Sequence, residues 1–309
     1  MHNGAPCSIH AIAYELGELR DIAEIDEVQQ EPEMLEILRT GGLQCYSTTP
    51  LLPIDLAERC LRQTLDRCGA SPSGIEALVY ASESPWSESL YARLNAMLTT
   101  LGLRGAYPIG VSLSGCTNFS LAIRVASTLI RAEGLERVLV VCADKAPVGA
   151  RRTMRPGVCV FSDGALSCVV GRSGAGEFDV LRIVHENAPE MGEFNLERDA
   201  ATLVIQISSG VRKAVQAALG PLDKQPSDIP RVFLGNFARH ISMMYAGLCG
   251  FRDDQCYLEN IPRFAHTYVG DALINLHDSH RRTPMAPGEL CVLFGIAVTS
   301  WGVMVLQKT

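Results

Sequence analysis

The sequence predicts an α/β protein in which helices cover buried sheets. Two observations predict this class: amphipathic segments alternate with short apolar runs, and the order of these segments in the first half returns in the second half. At 309 residues, the chain can form one large domain or two halves of about 150 residues each. We therefore predict a duplicated, layered architecture.

The first half contains two predicted helix-to-strand units. Residues 53–68 have helical periodicity, and after a break at Gly-Ala-Ser-Pro the apolar run 75–82 is typical of a strand. A second helical pattern at 119–130 leads to residues 138–143, which indicate a strand buried on both faces. Residues 158–171 then predict two short strands separated by a turn.

The second half repeats this alternation in four segments. They are a helix at 207–219, a strand running into a polar turn at 231–237, a helix at 238–248 and two strands around a loop at 289–307. Between the halves, glycine and serine replace apolar residues at 171–176. We therefore predict an N-terminal half of residues 1–171 and a C-terminal half of residues 172–309.

Charge and cysteine usage exclude several functional classes. The formal net charge of −7 gives no sequence-wide basic footprint for nucleic acid or an anionic membrane. The 11 cysteines are scattered singly, without a Cys-x-x-Cys pair or zinc-type spacing. The N-terminus lacks the pattern of a signal peptide, and the uncharged stretch 105–123 is interrupted by polar residues, glycine and proline. We expect a cytoplasmic protein with reduced thiols, no metal and no membrane segment.

Cys116 is the residue most suggestive of chemistry. It follows an apolar strand-like run and precedes the helical pattern, which predicts a position at a helix N-terminus. Unpaired backbone N–H groups there stabilise a thiolate and can also receive an oxyanion. The alternative is a small buried apolar residue, which is the role expected of most of the other cysteines.

Several separated segments together resemble the thiolase-fold condensing enzymes, and more narrowly the 3-ketoacyl-acyl-carrier-protein synthase III family. The resemblance spans almost the whole chain and rests on five segments: LAERCLRQTLDRCGASPSGIEALVYAS, SGCTNFSLAI, RVLVVCADKA, FSDGALSCVVG and PGELCVLFGIAVTSWGVMVL. It implies a thiolase-like fold of α-β-α-β-α layers. It also implies that Cys116 accepts an acyl group from a thioester.

The resemblance further implies how the thioester is held. Its oxyanion would be bound by the helix N-terminus and by an N–H of the loop 294–301, which keeps Gly295 but is one residue longer and poorer in glycine than usual. Acyl-CoA or an acyl-phosphopantetheine carrier protein is the implied substrate, with no bound cofactor. A homodimer is implied, with a contribution from the segment 82–98, including Trp86 and Tyr91.

The chain departs from the family at two positions. A decarboxylating synthase uses a histidine and an asparagine to stabilise an enolate, but Gly235 stands at the first position, with Asn236 beside it, and His266 stands at the second. A histidine near a cysteine is a natural general base, and a carboxylate such as Asp271 would orient it. Cys116, His266 and Asp271 form a candidate triad that resembles the acyltransferase and starter-unit branch of the family.

Each of these residues also has a structural interpretation. His266 can be a hydrogen-bonded core residue, and Asp271 can cap a helix or lie in its first turn. Asn236 either donates a hydrogen bond to a bound carbonyl or caps the helix that follows. His185 either reaches the site or ends a surface strand.

A small basic cluster stands out in an otherwise acidic chain. Arg151, Arg152 and Arg155 occupy a region that in the family lies near the mouth of the pantetheine tunnel. There they can meet coenzyme A phosphates or an acidic carrier protein. The alternative is a solvated loop.

Three functions follow from the sequence. The leading one is an acyltransferase in polyketide or other specialised metabolite biosynthesis, in which Cys116 passes an acyl group to a small-molecule or carrier-bound acceptor. The second is a decarboxylating ketosynthase that condenses an acyl thioester with malonyl-carrier protein. The third is an inactive partner subunit.

Overall fold

The computed structural model describes residues 7–69, 71–83, 88–154, 157–195 and 198–309, except for the side chain of residue 88. Trp86 and Arg155 lie outside the described residues. The strands are β1 Cys7–Leu16, β2 Glu18–Asp21, β3 Cys45–Thr48, β4 Ala77–Ala81, β5 Tyr107–Val111, β6 Arg137–Asp144, β7 Thr153–Met154, β8 Cys159–Val160, β9 Gly164–Gly171, β10 Phe178–Asn187, β11 Arg231–Phe233, β12 Leu290–Ile296 and β13 Ser300–Lys308. The α-helices are α1 Asp26–Gln30, α2 Pro32–Thr40, α3 Pro53–Cys68, α4 Glu88–Thr100, α5 Asn118–Glu133, α6 Ala200–Leu219, α7 Arg239–Leu248, α8 Ile261–Phe264 and α9 Asp271–Arg282.

A nine-stranded sheet runs through the described part of the chain in the order β11-β12-β13-β10-β1-β9-β6-β4-β5. The strands at each end are parallel, with β5, β4 and β6 at one end and β11 and β12 at the other. The strands between them are antiparallel, and the pairing of β1 with β10 joins the two ends. Each end therefore has the parallel order that crossover helices produce.

The helices divide into three layers. One apolar cluster contains side chains of α5 and α9 together with strands from both ends of the sheet, so these two helices lie between the ends. The opposite face of the first end packs against α3 and α4, and the opposite face of the second end packs against α6. The result is the α-β-α-β-α layering expected from the sequence, and the α/β fold class is confirmed.

Glycine residues end two of the helices that pack on the β4–β6 end of the sheet. Both α3 and α5 stop at a glycine in the left-handed conformation, Gly69 at φ 60° and Gly134 at φ 76°. The observed bounds of α3 coincide with the predicted helix 53–68, and β6 extends the predicted strand 138–143 by one residue at each end.

The turn between β9 and β10 lies at the glycine-rich stretch 171–176. The division into halves 1–171 and 172–309 at that turn stays a prediction. Within the residues that are described, no helix has the length and apolar character needed to cross a membrane.

Candidate active site

Cys116 lies in a tight turn between β5 and α5. Two residues of this turn adopt left-handed backbone angles, Leu113 at φ 76° and Gly115 at φ 58°. Residues Gly115–Thr117 form a 3₁₀ turn, and α5 begins only at Asn118. The cysteine therefore precedes the helix by one turn, rather than occupying its first α-helical residue.

The turn is fixed by hydrogen bonds to the carbonyl oxygen of Ser114. It accepts hydrogen bonds from the Thr117 hydroxyl at 2.6 Å and from the Ser300 hydroxyl at 2.8 Å. Because Ser300 begins β13, these contacts attach the cysteine turn to the strand pair β12 and β13. Left-handed angles at a bulky residue such as Leu113 are costly, so they persist only where such contacts hold them.

Two glycines allow the backbone to approach the cysteine closely. A Cβ added at Gly115 would lie 2.6 Å from the Ala297 Cβ, and one added at Gly295 would lie 2.8 Å from the Cys116 carbonyl oxygen. Neither position has room for a side chain. The end of β12 at Gly295 and the loop that follows it therefore pack directly on the cysteine turn. This is the loop from which the sequence predicts an oxyanion donor.

His266 faces Cys116 across the central layer. Its Nε2 lies 3.2 Å from the Cys116 Sγ, and its Nδ1 lies 2.5 Å from Oδ2 of Asp271. The His266 backbone bonds to β8 and to the turn after it, with N–H to the Val160 carbonyl at 3.0 Å and carbonyl to the Ser162 N–H at 2.8 Å. Since Nδ1 faces a carboxylate, it carries the proton, and Nε2 is left to accept one from the thiol.

Asp271 begins α9 and is fully engaged. Its Oδ1 accepts hydrogen bonds from the Thr267 N–H at 2.8 Å and the Thr267 hydroxyl at 2.6 Å. Its Oδ2 accepts from the Asn236 N–H at 2.6 Å as well as from His266. Three donors besides the imidazole thus fix the carboxylate, which in turn fixes the tautomer and orientation of His266.

Asn236 contacts the triad through its backbone. Its side-chain Oδ1 accepts a hydrogen bond from Asn275 at 2.9 Å, and its buried Nδ2 has no hydrogen-bond partner among the described residues. The structure thus places Asn236 beside Asp271, and leaves the two N–H donors of its side-chain amide available.

Glu83 is a site residue that the sequence analysis missed. It lies two residues beyond β4, and its carboxyl lies near the Cys116 thiol. Burial and the nearby Asp144 carboxylate together raise the pKa of Glu83 to about 7. A polar residue just after the C-terminal end of a parallel strand was the available signal, since such ends meet at the site edge of an α/β sheet.

The environment of Cys116 disfavours the thiolate form. Burial raises the pKa of the Cys116 thiol well above its usual value, and the carboxylates of Glu83 and Asp271 add to the effect. Burial lowers the pKa of His266, but the nearby carboxylates, Asp271 foremost and then Glu83 and Asp144, together outweigh burial, so the pKa of the imidazole is raised. A thiol in this environment needs a base, and His266 is positioned to be that base. A thiolate stabilised by the helix N-terminus stays a prediction.

Aromatic side chains enclose the imidazole. The ring centroids of Phe237, Phe161 and Tyr268 lie 4.9, 5.7 and 6.0 Å from that of His266. Phe161 and Tyr268 stack on each other at 4.6 Å. These rings limit the access of water to the proton-transfer pair and strengthen its electrostatic interactions.

The arginines of the basic cluster differ in their surroundings. The Arg152 guanidinium donates to both carboxylate oxygens of Asp163, at 2.9 and 3.1 Å, and to the Phe161 carbonyl at 3.0 Å. Its donors are thus turned into the protein. Arg151 is half-exposed and lies 3.4 Å from Glu31, so of these two side chains it is the one that a phosphate in solvent can reach.

His185 and Tyr91 lie away from the triad contacts described. The His185 Nε2 bonds to the Ser120 hydroxyl in α5 at 2.8 Å, and burial lowers the pKa of His185 to about 4. A ring that remains neutral and bonds to the first turn of α5 supports that helix. Tyr91, in α4, is largely exposed in the single chain.

Comparison with known proteins agrees with this fold. The family model for 3-oxoacyl-(acyl-carrier-protein) synthase III matches residues 113–188, which include the cysteine turn. The β-ketoacyl-(acyl-carrier-protein) synthase III of Helicobacter pylori is 28% identical over 272 residues, covering 80% of this chain and 81% of the relative.

Solved structures match almost the whole chain. The acyltransferase ChlB3 superposes with a TM-score of 0.85 at 20% identity, covering 98% of this chain and 97% of its own. The priming β-ketosynthase of the R1128 polyketide pathway superposes with a TM-score of 0.81 at 15% identity, covering 98% and 96%. The chain is thus similar to 3-oxoacyl-(acyl-carrier-protein) synthase III proteins and shares the fold of these solved structures.

Proposed function

We propose that this protein is an acyltransferase that holds an acyl group on Cys116 and passes it to an acceptor. The observation that carries the proposal is the chain of contacts from the Cys116 sulfur to His266 at 3.2 Å and from His266 to Asp271 at 2.5 Å. A cysteine, a base and an orienting carboxylate in this geometry are sufficient for acyl transfer through a covalent intermediate.

Acylation begins when His266 Nε2 takes the proton of the Cys116 thiol. The sulfur then attacks the carbonyl carbon of an acyl-CoA or acyl-carrier-protein thioester and forms a tetrahedral oxyanion. When the original carbon–sulfur bond breaks, the departing thiol receives the proton from His266. In the transfer step, the acceptor's thiol, hydroxyl or amine gives its proton to His266, attacks the acyl carbon and releases Cys116, which regains the proton.

The oxyanion would be bound by the N–H of Cys116 and by an N–H of the loop after β12. The Ala297 N–H already donates to the Ser300 carbonyl at 3.0 Å. Hydrogen-bonded and non-hydrogen-bonded pairs alternate along an antiparallel ladder, so the adjacent pair Ile296 and Trp301 exchanges no such bonds. This supports Ile296 as the second donor, within the range around Gly295 that the sequence indicates.

A decarboxylating ketosynthase is the second candidate, because relatives are named β-ketoacyl-(acyl-carrier-protein) synthase and because the free Nδ2 of Asn236 is a hydrogen-bond donor near the triad. The electrostatics favour acyl transfer over it. The largest charge effects on Cys116 come from the acidic residues Glu83 and Asp271, which would repel the carboxylate of a malonyl extender. Release of CO₂ from malonyl-CoA that is lost in His266→Ala would favour the ketosynthase instead.

Incubation with a panel of acyl-CoA donors followed by intact-mass measurement tests the proposal. We expect an acyl adduct in the wild type and in Cys159→Ala, which removes a neighbouring buried thiol, and none in Cys116→Ala. The absence of a Cys116-dependent adduct with every donor would overturn the proposal and support an inactive partner subunit.

We also propose two protein partners, an acyl carrier protein and a second copy of this chain. The relatives' names specify a carrier-protein substrate, and the accessible Arg151 supports delivery of an acyl-phosphopantetheine past that side chain. A second copy of the chain is the proposed partner at the β5 edge of the sheet.

A further inference from the structure

The backbone of Glu83 is anchored beside the nucleophile, yet the acyl transfer described above gives its carboxyl no task. The Glu83 N–H donates to Oδ1 of Asp144 at 2.7 Å, and the Ser82 hydroxyl donates to the same oxygen at 2.9 Å. Asp144 is the last residue of β6, so the end of one strand fixes the turn that follows another. A Cβ added at Gly115 would lie 3.1 Å from the Glu83 Oε1, which shows how closely the carboxyl approaches the cysteine turn.

This carboxyl has few hydrogen-bond donors. Its Oε1 is shielded from solvent and has no partner among the residues that the structure describes. Its carboxyl lies near the Cys116 thiol, but that thiol has one proton and faces His266 Nε2 at 3.2 Å. Once Cys116 is acylated, the sulfur carries no proton and has none to donate to Glu83. A shielded acceptor left without a donor is unfavourable.

The acyl group itself is placed to supply the missing donor. The first carbons beyond the thioester carbonyl are the substrate atoms nearest the sulfur, and Glu83 lies against that sulfur. A hydroxyl or amino group on the second or third carbon can therefore donate to the carboxyl, whereas an alkyl chain cannot. A site that hydrogen-bonds a substrate group discriminates strongly against an analogue that lacks it.

We propose, on the basis of the acyl-enzyme proposed above, that Glu83 is a specificity-determining residue that selects acyl groups bearing a hydrogen-bond donor on the second or third carbon. The substrate class is then hydroxyacyl and aminoacyl thioesters rather than simple alkanoyl thioesters. Glu83 contacts the substrate in this account, while His266 performs the proton transfers.

Three acyl-CoA substrates of nearly equal size test the inference. Butyryl-CoA, 3-hydroxypropionyl-CoA and β-alanyl-CoA differ only in the terminal methyl, hydroxyl or ammonium group. The second-order rate of Cys116 acylation is measured by rapid quenching and intact mass. For the wild type we expect 3-hydroxypropionyl-CoA and β-alanyl-CoA to react at least about tenfold faster than butyryl-CoA.

Variants of Glu83 distinguish a role in selecting the acyl group from a role in the acylation step. Glu83→Met preserves the size but removes the acceptor, so the three rates should converge, with butyryl-CoA as fast as in the wild type or faster. Glu83→Gln retains an oxygen that accepts from the hydroxyl, so it should preserve the preference for 3-hydroxypropionyl-CoA and lose the preference for β-alanyl-CoA. Glu186→Met is the matched control, because Glu186 pairs with Lys213 at the surface at 2.6 Å, and should leave all three rates unchanged.

Each contrary outcome is decisive. Equal wild-type rates for the three donors would overturn the inference, as would an unchanged preference in Glu83→Met. If Glu83→Met slowed acylation equally with all three acyl-CoA substrates, the inference would also be overturned. The carboxyl would then take part in the acylation reaction itself and would not select among acyl groups. An unselective adduct on Cys116 overturns this inference alone, whereas no adduct with any donor overturns the proposed function and this inference together.

Discussion

At the scale of single residues, the base strength of His266 depends on Asp271. The imidazole must be neutral to accept the thiol proton, so the acylation rate should rise as the pH rises through the pKa of His266, which Asp271 raises. In Asp271→Asn this raising interaction is lost, so the midpoint of the pH–rate profile should move to lower pH. The plateau rate should fall by about 10²–10⁴ because the tautomer is no longer fixed.

A pH–rate profile for Asp271→Asn checks this prediction, with Asp278→Asn as control. Asp278 lies further along α9 and forms an ion pair with Arg263 of α8 at 2.8 Å. Loss of the Asp278 charge should therefore leave the midpoint unchanged. A midpoint in Asp271→Asn that stays in place or moves to higher pH would contradict the assigned pairing.

We expect Asn236 to support acylation through its backbone N–H, which holds Asp271, rather than through its side chain. The side chain is not needed for the hydrogen bond that its N–H donates to Asp271, so Asn236→Ala should slow acylation less than tenfold. His266→Ala should slow it by at least about a hundredfold. Single-turnover acylation rates compare the two variants, and equal losses would assign the Asn236 side chain a direct part in the reaction.

At the scale of elements, the cysteine turn requires Gly115. In Gly115→Ala, a left-handed backbone angle is combined with a new Cβ 2.6 Å from the Ala297 Cβ. In Gly134→Ala, which ends α5 at φ 76°, the added Cβ meets no atom within 4 Å. We expect Gly134→Ala to lose about 1 kcal/mol of unfolding free energy.

Gly115→Ala should lose more stability than Gly134→Ala, about 1–3 kcal/mol from strain and displacement, and its acylation rate should fall as Cys116 shifts. Urea unfolding and the acylation rate, measured on both variants, check this expectation. If the two variants were equally stable and equally active, the close packing of the β12 loop on the turn would be contradicted.

The elements also show what the sequence could predict. Hydrophobic periodicity located α3 at Pro53–Cys68 and the strand pair β12 and β13, because these segments bury one face or both faces. The helix beginning at Ala200 is longer than the predicted 207–219, since its first turns pack apolar side chains such as Leu203 into the same cluster.

Contacts between distant segments were harder to predict. His266 and Asp271 could be proposed as partners of Cys116 only through the family resemblance, because 150 residues separate the cysteine from the histidine. The folded chain brings them together through the packing of α5 with α9 and the hydrogen bonds of the His266 backbone to Val160 and Ser162. Glu83 was missed because its environment, rather than its local pattern, shifts its pKa. Arg152 looked available in the sequence, yet its donors bond to Asp163 in the folded chain.

At the scale of the whole molecule, the β5 edge is the surface that a second copy should cover. Tyr107 begins this edge strand 41% exposed, and Leu113 just beyond it is 99% exposed. An edge strand presents unpaired backbone groups, and apolar side chains next to it favour association. We expect a dimer in solution, weakened by Leu113→Asp.

Sedimentation velocity over a range of protein concentrations measures this association. Ile205→Asp is the control, because Ile205 is an exposed apolar residue on α6, at the other end of the sheet. A wild-type chain that remains monomeric at all concentrations, or a dimer weakened only by Ile205→Asp, would exclude the β5 edge as the interface.

The rate at which Cys116 is acylated in the wild type and in His266→Ala tests the central claim most directly. Rapid quenching after mixing with an acyl-CoA that labels the wild type, followed by mass analysis of the peptide containing Cys116, gives both rates. The account predicts an acyl group on Cys116 in both proteins, formed at least about a hundredfold more slowly without His266. Equal rates, or an acyl group on a different residue, would contradict it.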